Sequence, residues 1–181
     1  MNLTGISKYM SKILRHAPEL IGIDIEYYGA WADTQELIKG IARTKEKNFN
    51  MEILEKIVAN DEKQRYSFNE DKSKVRANQG HSIDVDMGFE AKMPPEILFH
   101  GTPETNRESI DRLGLLKQGR NYVHLSNDKQ SARKVGGRHG KPFVYKVLTG
   151  QMYRDGYKFY CSDNGVWLTD EVPPQYLKYL Y

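Results

Sequence analysis

Apolar residues recur near the N-terminus at the spacing of a single helical face: Ile6, Met10, Ile13 and Leu14. Pro18 disfavours helix at the residue before it, so this run predicts a helix that closes on Arg15 and His16. In "DTQELIKGIA" an N-capping Asp33 precedes Glu36 by three positions and leads into Leu37, Ile38 and Ile41, which predicts a second helix. Asn50 opens a third, striped by Ile53, Leu54, Ile57 and Val58. In "RYSFNEDKSKVRAN" the period changes to two. Tyr66 and Phe68 alternate before a polar turn and Val75 and Ala77 after it, the pattern of a hairpin. Three helices and a hairpin predict a winged-helix-like module, a common nucleic-acid-binding form.

"QGHSIDVDMGFEAKMPP" breaks this texture with glycines, acidic residues and two closing prolines, and predicts a linker. Strand patterns dominate beyond it. "EILFHGT", "NYVHLS" and "KPFVYKVLT" read as strands, and "GYKFYCSDNGVWLT" as two more around an Asp-Asn-Gly turn. "TNRESIDRLG" reads as a helix with a Thr105–Glu108 capping box and Gly114 as its stop; "NDKQSARKVGG" reads as a short capped helix. The expected fold class is α+β: a winged-helix-like lobe over residues 1–78, a linker over 79–95 and a strand-rich lobe over 96–181.

With 181 residues the chain can form one substantial domain or two small ones, and its 39% hydrophobic and 28% charged content is that of an ordinary globular protein. No apolar run is long enough to span a bilayer and the N-terminus lacks a secretory apolar centre, so a cytoplasmic protein without membrane association is expected. A single cysteine, Cys161, excludes an internal disulfide and a four-cysteine zinc site. The five histidines (16, 81, 100, 124 and 139) lack helical metal-ligand spacing, so no metal is expected. A net charge of +3 permits a polyanionic partner without requiring one. P-loop and Rossmann glycine patterns are absent.

The remaining chemistry lies in cations at structural punctuation. Arg15 and His16 end a helix, Arg65 opens the hairpin, and Arg120 stands in "GRNYVHLS" just before a strand. Guanidinium groups converging on one point need an anion between them, and a phosphate monoester matches their forked donors. His16 beside it would bind a phosphate oxygen or move a proton. Spacing alone equally allows a solvated pair that complements the helix dipole, and surface roles for Arg65 and Arg120. In "HGT", Gly101 lets a ligand approach the backbone between His100 and Thr102, or simply ends a strand. His124 alternates with Val123 and Leu125 and so faces the other way. The glycine-rich "VGGRHGK" suits a pyrophosphate or a flexible loop.

Taken in order, "LRH", "RYSF", "VRANQGHS", "LFHGT", "GRNYVHLS", "VGGRHGKP" and "FYCSDNGVWLT..VPP" resemble the NAD-dependent RNA 2'-phosphotransferases over nearly the whole chain. The resemblance implies a winged-helix-like N-terminal lobe and a C-terminal lobe of the ADP-ribosyltransferase fold, with the active site in the cleft between them. Its catalytic quartet falls on Arg15, His16, Arg65 and Arg120. The NAD pocket falls on His100, Gly101, Thr102, His124 and Ser126; Arg133 and Arg138 are added here as expected pyrophosphate contacts. No Gln-x-Glu or Glu-x-Glu motif of the broader ADP-ribosyltransferases stands out, which fits this family.

The implied reaction has two steps and uses NAD as co-substrate, without a metal. An internal RNA 2'-phosphate displaces nicotinamide to give 2'-phospho-ADP-ribosylated RNA; attack by the ribose 2''-OH then releases RNA and ADP-ribose 1'',2''-cyclic phosphate. The expected partner is 2'-phosphorylated RNA, such as a spliced tRNA junction where ligation leaves one, and a monomer is expected. Two rival readings share the same residues: an enzyme that ADP-ribosylates terminal phosphates, and a non-enzymatic winged-helix protein whose second lobe senses NAD or ADP-ribose.

Overall fold

The computed structural model describes residues 2–180, which divide into two compact units, Met1–Gly88 and Phe89–Tyr181. In the first, α1 spans Leu3–His16, with Asn2 accepting from the Gly5 amide at its start and Ala17, ahead of Pro18, at its end. A two-residue strand β1 (Ala32–Asp33) leads into α2 (Thr34–Thr44), capped by Asp33 through the Glu36 amide. Asn50 caps α3 (Met51–Ala59) through the Ile53 amide. The hairpin follows as β2 (Tyr66–Phe68) and β3 (Lys74–Ala77), with Phe68 opposite Val75 and Tyr66 opposite Ala77. β1 adds to the far side of β3, so the sheet order is β1-β3-β2.

The apolar stripes read from the sequence form the core of this unit. Met10, Ile13 and Leu14 from α1, Leu37 and Ile41 from α2, Leu54 from α3 and Val75 from β3 are fully buried together. Side chains of this size stabilise by about 1.5–3 kcal/mol each on burial. That packing, more than helix propensity, holds the end of α1 in place.

The second unit contains β4 (Leu98–Pro103), α4 (Arg107–Leu113), β5 (Val123–Leu125), α5 (Lys129–Gly136), β6 (Pro142–Val147), α6 (Thr149–Arg154), β7 (Phe159–Cys161), β8 (Trp167–Thr169) and β9 (Leu177–Tyr179). Two antiparallel three-stranded sheets result, β4-β6-β9 and β5-β8-β7. They are joined where Phe99 and Ser126 exchange backbone hydrogen bonds of 2.9 and 2.8 Å. Leu98, Leu125, Val147, Met152 and Phe159 make a separate core here. Small antiparallel sheets with six α-helices among the described residues are compatible with the expected α+β class. No helix is long and apolar enough to cross a membrane among these residues.

Several local expectations change. The Thr105–Glu108 capping box does not form: Glu104–Asn106 is a 3-10 turn, and α4 starts at Arg107 with no side-chain cap. Gly114 does end α4, at φ +78. Of the two readings of the glycine-rich stretch, a turn or a flexible loop, the structure has the turn: Gly137–His139 winds as 3-10. Residues 79–95 hold no long element, yet they are tied down. Ser82 bonds to Arg15, Asp86 pairs with Tyr27 and Gly29 in the first unit, and Lys92 bonds to Phe159 in the second.

Candidate functional site

In the first unit the cationic positions come together around the end of α1. Arg15 and His16 lie in its last turn, where positive charge complements the helix dipole. Arg65 stands just before β2. The charges of both Arg15 and Arg65 act on the Tyr66 phenol, although burial, the larger influence, raises its pKa. Asp61 holds Arg65 twice, accepting from its backbone N–H at 2.6 Å and from Nη1 through the other carboxylate oxygen. Arg76, between the buried Val75 and Ala77 on β3, stacks on Trp31 with its guanidinium carbon 4.5 Å from the ring centroid. The structure therefore gathers Arg15, His16 and Arg65 and adds Arg76 and Asp61, which motif reading passed over.

His81 was also missed. Only 2% exposed, it is pushed down to about pKa 4 by burial first and then by the charges of Arg15, His16 and Arg76. It is a neutral imidazole at any pH near 7. Its Nε2 is buried without a hydrogen-bond partner, as is Oδ1 of Asn78. Asn78, itself buried, donates its backbone N–H to the Arg65 carbonyl and its Nδ2 to the Gln64 carbonyl. Ser82 Oγ lies 2.8 Å from His16 Nδ1. The one sequence signal for these residues was the motif "VRANQGHS", whose members have no common helical or strand period.

In the second unit, β4 and β5 meet at the Phe99–Ser126 bridge, which sets His100, Thr102, His124 and Ser126 on neighbouring strands. His100 Nδ1 is 3.0 Å from the His124 carbonyl, a geometry that requires Nδ1 to be the donor. Burial lowers the His100 pKa, and the Arg120 charge lowers it further. The Thr102 hydroxyl accepts from Asn106 Nδ2 at 3.2 Å. His124 is half-buried between the buried Val123 and Leu125, on the opposite face as its alternation predicts. Arg120 occupies an exposed turn, but loss of surrounding water and the nearby Arg138 charge lower its pKa. Arg133 lies on the exposed side of α5.

Gly101 has a packing reason. A Cβ there would stand 1.6 Å from the Ala132 carbonyl oxygen, because α5 lies directly against β4. Gly136, one helical turn after Ala132, meets the Thr102 backbone in the same way, with 2.7 Å to its nitrogen. Beside this layer Tyr122 packs between Phe89 and Tyr160, with ring centroids 6.3 and 5.5 Å away. Among the described residues, no group of three or more His, Cys, Asp or Glu side chains is placed to hold a metal ion.

Comparison with known proteins places the chain in a family. The model of the family described as RNA 2'-phosphotransferase, Tpt1 / KptA family, matches residues 2–171. A Flavobacterium johnsoniae protein named "Probable RNA 2'-phosphotransferase" is 49% identical, covering 97% of this chain and 95% of its own. A Nostoc punctiforme protein of the same name is 49% identical over 97% and 96%. One from Fusobacterium nucleatum subsp. nucleatum, also of that name, is 46% identical over 98% and 99%. The chain belongs to the RNA 2'-phosphotransferase, Tpt1 / KptA family.

Proposed function

We propose that this chain is an RNA 2'-phosphotransferase that removes an internal 2'-phosphate from RNA with NAD as co-substrate. On this reading the 2'-phosphate displaces nicotinamide, giving 2'-phospho-ADP-ribosylated RNA. The adjacent 2''-OH then attacks phosphorus, and RNA leaves with a free 2'-OH beside ADP-ribose 1'',2''-cyclic phosphate. We read residues 1–78 as a winged-helix-like RNA lobe and residues 96–181 as an ADP-ribosyltransferase-like NAD lobe. A spliced tRNA junction is the expected physiological substrate where ligation leaves such a phosphate.

Family membership over residues 2–171 supports this reading, and the observation that carries it physically is the charge around His81. The three side chains whose charges bear on that buried imidazole, Arg15, His16 and Arg76, are all basic. A phosphate dianion is the ligand such a cluster is built to receive. Arg15, His16 and Arg65 are assigned to the 2'-phosphate. Fixed guanidiniums stabilise charge building on phosphoryl oxygens during the second step without reorganising. The dianion is already a nucleophile, so the first step asks the protein mainly for position.

One observation supports NAD in the second unit: the Arg120 pKa is lowered by burial first and then by the nearby Arg138 charge, a repulsion that a diphosphate would relieve. His100, Gly101, Thr102, His124 and Ser126 are assigned to the same ligand, with Arg133 as a further pyrophosphate contact. NAD supplies an anomeric carbon with a good leaving group. His100, neutral and fixed by its bond to the His124 carbonyl, offers Nε2 to the ligand. Arg120 completes the quartet.

Incubation with NAD and a 2'-phosphorylated oligonucleotide tests the proposal. The expected products are nicotinamide, dephosphorylated RNA and the cyclic phosphate. Nicotinamide release with a stable cap on a 5'-phosphorylated oligonucleotide, and none with the 2'-phosphorylated one, would select the terminal-phosphate enzyme instead. No nicotinamide from either would select the sensor. Arg120→Ala is expected to lower turnover at least about a hundredfold with the fold intact; full activity removes Arg120 from the site.

A further inference from the structure

The motif "VRANQGHS" contains residues that the phosphate-binding assignment leaves without a task, and the structure places them in succession against its cations. Asn78 pins the Arg65 backbone by an N–H bond of 2.8 Å to its carbonyl. Gly80, at φ +90, carries the chain beside Arg15: a Cβ there would make ordinary contact, at 3.8 Å, with three atoms of its guanidinium group. The backbone conformation itself favours glycine. His81, buried and held neutral, feels the charges of Arg15, His16 and Arg76. Ser82 then bonds to both members of the Arg15–His16 pair. Its N–H donates to the Arg15 carbonyl at 3.0 Å, and its Oγ meets His16 Nδ1 at 2.8 Å.

An imidazole ring can turn over about its terminal torsion, which exchanges the places of carbon and nitrogen at its edge. A hydrogen bond that commits Nδ1 removes this ambiguity and decides which nitrogen does chemistry. Ser82 is well suited to the task because its backbone is itself fastened to the residue before His16.

We propose that residues 78–82 form a strap that positions the phosphate-binding cations, and that Ser82 is the positioning residue for His16. By holding Nδ1 it makes Nε2 the nitrogen that His16 presents to the 2'-phosphate. The inference rests on the RNA 2'-phosphotransferase reading for its ligand, but the ring orientation is measurable without any substrate. Ser82 is exposed, and its hydroxyl contributes nothing to the apolar core, so Ser82→Ala keeps the fold.

Two arms test it on the full chain. Nitrogen-15 NMR of the His16 ring compares wild type, Ser82→Ala and Ser82→Thr; steady-state kinetics on NAD and a 2'-phosphorylated oligonucleotide compares the same three. Ser82→Ala is expected to change the His16 ring-nitrogen shifts and to lower kcat about tenfold to a hundredfold, with KM for NAD unchanged. Ser82→Thr, which keeps the hydroxyl, restores both readouts. Wild-type shifts and wild-type kcat in Ser82→Ala overturn the proposal; so does equal impairment of the Ala and Thr variants. If wild type itself consumes no NAD with this RNA, the functional reading falls while the NMR arm still decides the strap: unchanged His16 shifts in Ser82→Ala reject it, changed shifts uphold it.

Discussion

Alanine in place of Gly101 would put a methyl carbon 1.6 Å from the Ala132 oxygen and 2.4 Å from the Ala132 carbonyl carbon. Carbon atoms rest about 3.5–4 Å from non-bonded neighbours, so strand and helix must separate by on the order of 2 Å. Neither can yield cheaply. Gly101 sits in the middle of the β4–β6 ladder opposite Val144, and Ala132 is a fully buried residue one turn before Gly136, which touches the same strand. Overpacking a core costs about 1–3 kcal/mol where side chains can shift; with two backbones in opposition we expect about 3 kcal/mol or more. For a unit of this size each kcal/mol moves Tm by about 4–8 °C, so Tm should fall by more than about 12 °C. Differential scanning calorimetry of Gly101→Ala beside Gly137→Ala provides the assay. Gly137 has φ −75 and would bring its Cβ only to 3.9 Å from the Pro142 ring, so its variant should stay within about 0.5 kcal/mol of wild type. If Gly101→Ala melts like wild type, the helix is not the reason for this glycine. Loss of NAD binding alone would then assign it to the ligand.

His81 links stability to pH. Its folded-state pKa of about 4 lies below the ordinary 6.5, so the unfolded chain binds more protons between those values. Stability is therefore lost as pH falls from about 6.5 towards 4, by about 2 kcal/mol between about pH 7 and pH 5; the lowered pKa of His100 acts in the same sense. Urea titrations of His81→Gln should show a shallower acid slope, and parallel slopes would refute the assignment. Asp61→Ala should cost about 1–3 kcal/mol by stranding the Arg65 backbone N–H and breaking the ion pair; an unchanged urea midpoint would show that the pair contributes nothing. Arg15→Ala and Arg65→Ala should accumulate ADP-ribosylated RNA because the second step builds more charge than the first. Slow turnover without that species contradicts the assignment.

The first unit was largely legible because its signals are local. Asp33 and Asn50 cap the helices their positions predict, and the stripe Ile6–Met10–Ile13–Leu14 is buried as its period requires. Elements without such a period went unseen. α6 is six residues long with Gly150 inside it, a glycine whose Cβ would stand 2.1 Å from a Glu96 carboxylate oxygen. β1 has only two residues, and β9 directly follows the Pro174–Tyr176 3-10 turn with only its first residue partly buried. At Thr105–Glu108 the local capping motif lost to a 3-10 turn that begins directly after β4. In the site, Arg15, His16 and Arg65 were visible as cations at element ends. Asn78, His81 and Ser82 carried only the motif, since contacts with residues far along the chain give them their roles. The Asp61–Arg65 pair, four residues apart, lies in the turn before β2 where no period marks it.

The bond between Ser82 and the end of α1 spans 66 positions of sequence. At about 5–20 residues per second, a ribosome needs roughly 3–13 s to make that interval. A nascent or truncated chain that stops before Ser82 holds the Arg15–His16 pair without its fastening. The end of α1 thus takes its final form only once the first unit has been synthesised almost to its end.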